Sequence, residues 1–136
     1  MTLSGNDAPW EGNTYRISIY GTNTVLIRTS NTVTTSSAGT ALSQQWKCTK
    51  SDGWLYFSAC TSATSGYTFL GRSGSKESKL TASAKSHAEW EYFAPRKHPD
   101  GGYWLYNKVG SSLWVVGEDW KVVSSDKGVR IGFTRV

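Results

Sequence analysis

Acid–base chemistry needs ionisable side chains that converge on one bond, and this chain offers few. Glu118-Asp119 is its one adjacent carboxylate pair, and His87 and His98 are its two histidines. Neighbours on an extended strand point to opposite faces, so adjacency alone does not make the carboxylates a pair that acts together. Neither histidine stands in a His-x-x-x-His spacing. No Gly-x-Ser-x-Gly elbow, phosphate-binding glycine loop, zinc-ligand spacing or dinucleotide fingerprint occurs. The expectation is a chain without catalytic activity, metal or cofactor.

The residue types that are plentiful suit binding. A polyhydroxylated ligand presents a face of C–H bonds and a rim of hydroxyls, so its site combines an aromatic platform with carboxylates or amides that accept hydrogen bonds. Asp100, Tyr103 and Trp104 bracket the long turn at 94–101, and Trp114, Glu118, Asp119 and Trp120 surround the next two turns. Trp114 lies two residues from Val116 and so shares its face on a strand, which points it toward the core. Trp120 follows Gly117-Glu118-Asp119 directly and is expected to be an exposed platform, with Asp119 beside it. Asp52, Trp54 and Tyr67 form a fainter, secondary copy. A different chemistry is open to Arg96, Lys97 and His98 in the long turn, joined by Arg130 and Arg135, which could hold sulfate or phosphate groups.

The elements that must position these residues follow from composition. Fourteen Gly, seven Trp and seven Tyr favour strands joined by tight turns, and the 13% aromatic content is too high for a disordered chain. At 136 residues the expectation is a single domain over 1–136. A net charge of +5 and a pI near 9.3 bias the surface toward anionic partners, although the lysines and arginines are separated by neutral residues. Residues 1–7 have neither a basic nor an apolar run, and no stretch approaches a membrane span, so a cytoplasmic location is expected; a mature secreted form would read the same. Pro9-Trp10 precedes the first strand and is expected either to plug a barrel end or to fray.

Cys48 and Cys60 flank a hairpin whose turn is Asp52-Gly53. A two-residue loop there sets Ser51 opposite Trp54 and Cys48 opposite Phe57, which leaves Cys60 too far along for a disulfide. Two free thiols are expected.

Self-similarity is the strongest signal. Gln44-Gln45-Trp46, Ala88-Glu89-Trp90 and Ile131-Gly132-Phe133 recur about every 43 to 44 residues. Residues 53–58 recur at 102–107, and Thr14-Tyr15-Arg16-Ile17 opens the first unit similarly. Val25-Leu26-Ile27, Phe69-Leu70-Gly71 and Val115-Val116-Gly117 form a second strand in each unit, and residues 31–35, 79–83 and 121–125 a third. Three units of four strands, over about 14–50, 51–94 and 95–136, are too few for a propeller and close as an all-β trefoil of twelve strands. Leu26, Trp46, Leu55, Leu70, Leu80, Trp90, Leu105, Val116, Val122 and Phe133 are the expected shared core.

With the units laid out, the chain resembles the β-trefoil superfamily over roughly residues 14–136. Gln44-Gln45-Trp46 is similar to the Gln-x-Trp signature of ricin-B-type lectins, with Ala88 and Ile131 standing where later units would have glutamine. Residues 66–72, followed by Lys79-Leu80-Thr81-Ala82-Ser83 and Glu89-Trp90, look like fascin-type trefoils. The first resemblance implies a carbohydrate-binding, lectin-like module with shallow sites for a glycan or glycoconjugate, its Gln-x-Trp residues serving the core. The second implies binding to actin. A basic trefoil that holds heparin-like anionic polysaccharide, or one that grips another protein by its turns, is the further alternative. The Asp, Asn and aromatic set of a ricin-type pocket has no match at the right spacing, so the site candidates stay those read from the turns.

Overall fold

The structure is a computed structural model describing residues 3–30, 32–60, 69–74, 77–84 and 89–136. Tyr67 and His87 lie outside the described residues. Runs of β-branched and aromatic residues between Gly, Ser, Asn and Asp become strands. In the first unit these are β1 (Thr14–Ile19), β2 (Thr24–Thr29), β3 (Thr32–Ser37) and β4 (Trp46–Ser51). The second has β5 (Trp54–Ala59), β6 (Phe69–Arg72), β7 (Leu80–Ala84) and β8 (Phe93–Lys97). The third has β9 (Tyr103–Val109), β10 (Ser112–Val116), β11 (Val122–Val123) and β12 (Ile131–Arg135).

Six strands close a barrel: β1 pairs with β4, β4 with β5, β5 with β8, β8 with β9, β9 with β12 and β12 with β1, all antiparallel. Closure leaves the barrel without an open edge. The hairpins β2–β3, β6–β7 and β10–β11 cap it. They meet through Thr32 opposite Thr81 and Lys79 opposite Lys121.

The threefold relation is visible in the register. Tyr15, Leu55 and Tyr103 face Trp46, Phe93 and Ile131. Ser18, Ser58 and Tyr106 face Val25, Phe69 and Val115. The N–H groups of Tyr20, Cys60 and Lys108 donate to the carbonyls of Arg130, Gln45 and Tyr92 at 2.9, 2.9 and 3.1 Å. The fold is a β-trefoil.

This register corrects two alignments made by residue type. The inward residue equivalent to Trp46 is Phe93 in unit two and Ile131 in unit three, not Trp90 and Phe133. Trp90 sits in the 3-10 turn Glu89–Glu91, 44% exposed, with the Arg72 guanidinium 4.8 Å from its ring centre. It is therefore no part of the core. On the first strands Tyr103 matches Leu55 and not Trp54, a slip of one residue that exchanges the two faces of a strand. The other expected core residues are buried, apart from Leu55, which packs half-buried against them. Each large buried side chain contributes roughly 1.5 to 3 kcal/mol.

Gln44 and Trp46 serve this core. Gln44 accepts from the Gly39 N–H (2.7 Å) and donates to the Ser37 carbonyl (3.0 Å), while the Trp46 indole donates to the Leu26 carbonyl (3.1 Å). Asp52 and Gly53 both have positive φ, 53° and 84°, the geometry of a two-residue hairpin turn whose twist matches the strands. Ser51 faces Trp54 and Cys48 faces Phe57 as expected. Both cysteines are free. Burial, then the Glu11 carboxylate, pushes the Cys48 thiol up to about 12.

Before β1 the chain crosses one barrel end. Asn6 bridges to Phe133, the Asp7 N–H donates to the Phe133 carbonyl (3.0 Å), and Pro9 is buried while Trp10 projects outward. Among the described residues no helix is long and apolar enough to cross a membrane.

Candidate functional site

Trp120 does not form the expected platform. It is 7% exposed and packs in the core beside Val116 and Val122. The cause is local backbone: Asp119 and Trp120 are both left-handed, with φ of 59° and 57°. Asp tolerates that region, whereas a bulky residue enters it only when its surroundings hold it there. Here the holding is done by indole burial and by the bond from the Gly117 N–H to the Lys121 carbonyl (2.7 Å). The two turned residues swing the ring inward and leave the carboxylates of the 3-10 turn Glu118–Trp120 outside.

Those carboxylates border a cleft of about 470 Å³, lined by Glu118, Asp119, Lys121, Val123, Lys127, Gly128 and Val129. Gly128, one of the lining residues, forms an antiparallel bridge with Gly117. Two carboxylates and two ammonium groups ring a patch of valine, and among the described residues no salt bridge engages any of the four. The second 3-10 turn, Ser125–Lys127, is pinned by the Ser124 hydroxyl donating to Asp126 (2.7 Å), which also holds the Asp126 carboxyl below its ordinary value. That turn presents Lys127 to the cleft.

The remaining first-rank candidates surround the same unit without lining the cleft. Trp104 is half-buried, with the edge of its ring behind Gly128, where an added Cβ would come within 3.3 Å of it. His98 meets the Trp104 ring edge-on at 4.7 Å and accepts from the Asp100 N–H (3.0 Å). Asp100 is exposed in the turn. Trp114 is half-buried against the core, as its spacing from Val116 suggested. Tyr103 is buried, 5.6 Å from Phe133, and burial followed by Asp7 and Tyr15 pushes its phenol up. The structure thus brings Glu118 and Asp119 to one cleft, sets Trp104 behind its Gly128, leaves Asp100 exposed in its own turn, and keeps Tyr103 and Trp120 for the core.

Three of the five basic residues read as an anion site already have internal work. Arg130 donates to the carbonyls of Asp100 (2.7 Å) and Gly101 (3.3 Å) and lies 4.9 Å over the Tyr20 ring. Lys97 donates to Asn6 (3.0 Å) and covers the Tyr103 ring, and His98 is held as described. The Tyr20 ring rests on Gly101 and Gly102, where a Cβ would overlap it and both φ are positive, so this seam requires glycine.

Of the secondary candidates, Asp52 is confined to its turn, while Trp54 stacks on Tyr92 with centroids 6.1 Å apart and planes 8° from parallel. Trp54 lines a second cleft of about 190 Å³ with Lys108, Gly110, Ser111, Ser112 and the exposed Leu113. Lys108 is tied there to Glu89 (3.7 Å) and to the Gly110 carbonyl (2.9 Å). Sequence reasoning missed Lys121, Val123, Lys127 and Val129. The only signal they carried was their nearness to the two consecutive turns after Val116.

No model of a known protein family matches the chain, and no curated protein matches it. Among solved structures, a ricin B-like lectin of Macrolepiota procera, solved in complex with lactose, has a TM-score of 0.64 to this chain. The likeness covers 96% of this chain and 91% of that one at 12% sequence identity. At that identity it speaks for the fold: the chain resembles ricin-B-like trefoils.

Proposed function

We propose that this trefoil works as one carbohydrate-binding, lectin-like domain without catalytic activity, and that its principal site is the third-unit cleft. The observation that carries the reading is the open ring of Glu118, Asp119, Lys121 and Lys127 around Val123 and Val129, with no salt bridge engaging the four charges among the described residues. A carboxylate accepts from two neighbouring hydroxyls at once, an ammonium donates to a hydroxyl or ring oxygen, and the valines meet the C–H face. The likeness to a lectin that binds lactose supports the same ligand class. Trp54 with Ser111 and Ser112 offers a second, stacking site, so the units are unequal.

A glycan array at low and high salt, with wild type and Asp119→Asn, tests this. Binding of neutral glycans that survives salt and falls about tenfold in the variant is expected, since hydrogen bonds to charged groups are the strong ones. Binding confined to sulfated glycans at low salt would favour an anion-binding trefoil, because ion pairs are screened and C–H contacts are not. Silence in both conditions would remove the lectin reading.

A further inference from the structure

Residues 8–13 lie outside the three units, yet they build the most exposed aromatic platform among the described residues. Trp10 is 67% exposed, although its backbone is fixed. Its N–H donates to the Tyr15 hydroxyl (2.8 Å), which itself donates to the Ala8 carbonyl (2.8 Å). Its carbonyl accepts from the Asn13 N–H (3.3 Å), and the Gly12 N–H is anchored on the Cys48 carbonyl (2.9 Å). These bonds hold the backbone on both sides of the ring, so its faces stay open to water.

A pocket of about 160 Å³ opens beside this ring, lined by Pro9, Trp10, Glu11, Lys50 and Leu55. Pro9 and Leu55 form an apolar wall, and Glu11 and Lys50 stand exposed on the rim. Among the described residues no hydrogen bond or ion pair engages the Glu11 carboxylate, the Lys50 ammonium or the Trp10 indole N–H. One acceptor, one cationic donor and one neutral donor therefore surround an indole face with no partner of their own.

We infer that this pocket is a further ligand site, for the terminal ring of a neutral saccharide. The volume is about half of the ~300 Å³ at which pockets for drug-sized ligands begin, so it admits one ring and not a chain. The indole takes the C–H face, Glu11 accepts from hydroxyls, and Lys50 and the indole N–H donate to oxygens. A quaternary ammonium would also stack on Trp10, but with one carboxylate and one ammonium on the rim neither a cation nor an anion gains a net charge attraction, whereas a neutral polyol can use both groups. The site deepens the glycan-binding reading and takes its ligand class from it. Its position on the arm at the barrel end makes it independent of the third-unit cleft.

The test follows the indole N–H signal of Trp10 by two-dimensional NMR, assigned by its loss in Trp10→Phe, during separate titrations with free glucose, galactose, mannose and N-acetylglucosamine. A saturable shift in the millimolar range with at least one sugar is expected. It should persist in Asp119→Asn and weaken about tenfold in Glu11→Gln. A Trp10 signal that stays still with all four sugars would overturn the proposal, as would one that answers only to tetramethylammonium. Failure of the third-unit cleft alone would appear as loss of shifts around residues 118–129 with the Trp10 response intact.

Discussion

The third-unit cleft and the pocket beside Trp10 are built in opposite ways. The cleft is wide, about 470 Å³, and rimmed by four charges, and the indole that follows its two carboxylates, Trp120, is turned into the core. The pocket is small, about 160 Å³, and its indole faces water while its walls are Pro9 and Leu55. The difference lies in the backbone. Two successive left-handed residues aim Trp120 inward, and a hydrogen bond from its own N–H to the Tyr15 hydroxyl holds Trp10 outward. The same side chain thus serves stability in one region and is available to a ligand in the other.

The largest expected contrast is between those two rings. Trp120→Ala should cost about 3–5 kcal/mol in urea unfolding, whereas Trp10→Ala should stay within about 0.5 kcal/mol of wild type. Equal losses would show that the indoles do not divide the roles in this way.

Alkaline titration separates the two regions next, because Cys48 lies beside the arm and not the cleft. The unfolded thiol ionises near its ordinary value of 9.0 and the folded one near about 12. The folded state's advantage is therefore complete below pH 9 and is lost as pH rises toward 12. Cys48→Ala should flatten that fall in a pH series of urea melts, and an unchanged slope would contradict the burial.

Tyr15→Phe probes what holds Trp10. Loss of the hydroxyl leaves the Ala8 carbonyl and Trp10 N–H without a shared partner, at a cost of about 1–2 kcal/mol by the same melts, and the Trp10 signal should broaden. Asp119→Gly should have a small effect on stability, a gain on the order of 0.5 kcal/mol from relief of the left-handed backbone, while it removes a cleft carboxylate. A stability loss above 1 kcal/mol there would mean that the Asp119 side chain supports the turn.

Much of the fold was legible because strand period and turn chemistry act locally. Asp52-Gly53 dictated a hairpin register that the structure reproduces, and Leu26, Leu70 and Val116 were matched correctly because each second strand carries one short apolar run. The fourth strands were not, because Trp90 and Phe93 are both aromatic and flank Glu91 by one or two residues. Only the pairing of Phe93 with Leu55 decides which ring is inside. The site was less legible for a physical reason: where Trp120 points depends on two φ angles, and φ is not written in the type of a Trp. For Pro9-Trp10 the sequence left a barrel plug and a frayed end equally open and gave no sign of a platform, since Lys50 and Leu55 reach Trp10 from the β4–β5 hairpin.

Chemical-shift mapping of the full chain, titrated with the neutral glycan that the array ranks highest, tests the carbohydrate-binding reading at its proposed site. The account predicts that the backbone signals of Glu118, Asp119, Lys121, Val123 and Lys127 move together and saturate at one affinity. A glycan that binds while those five signals stay in place would contradict it.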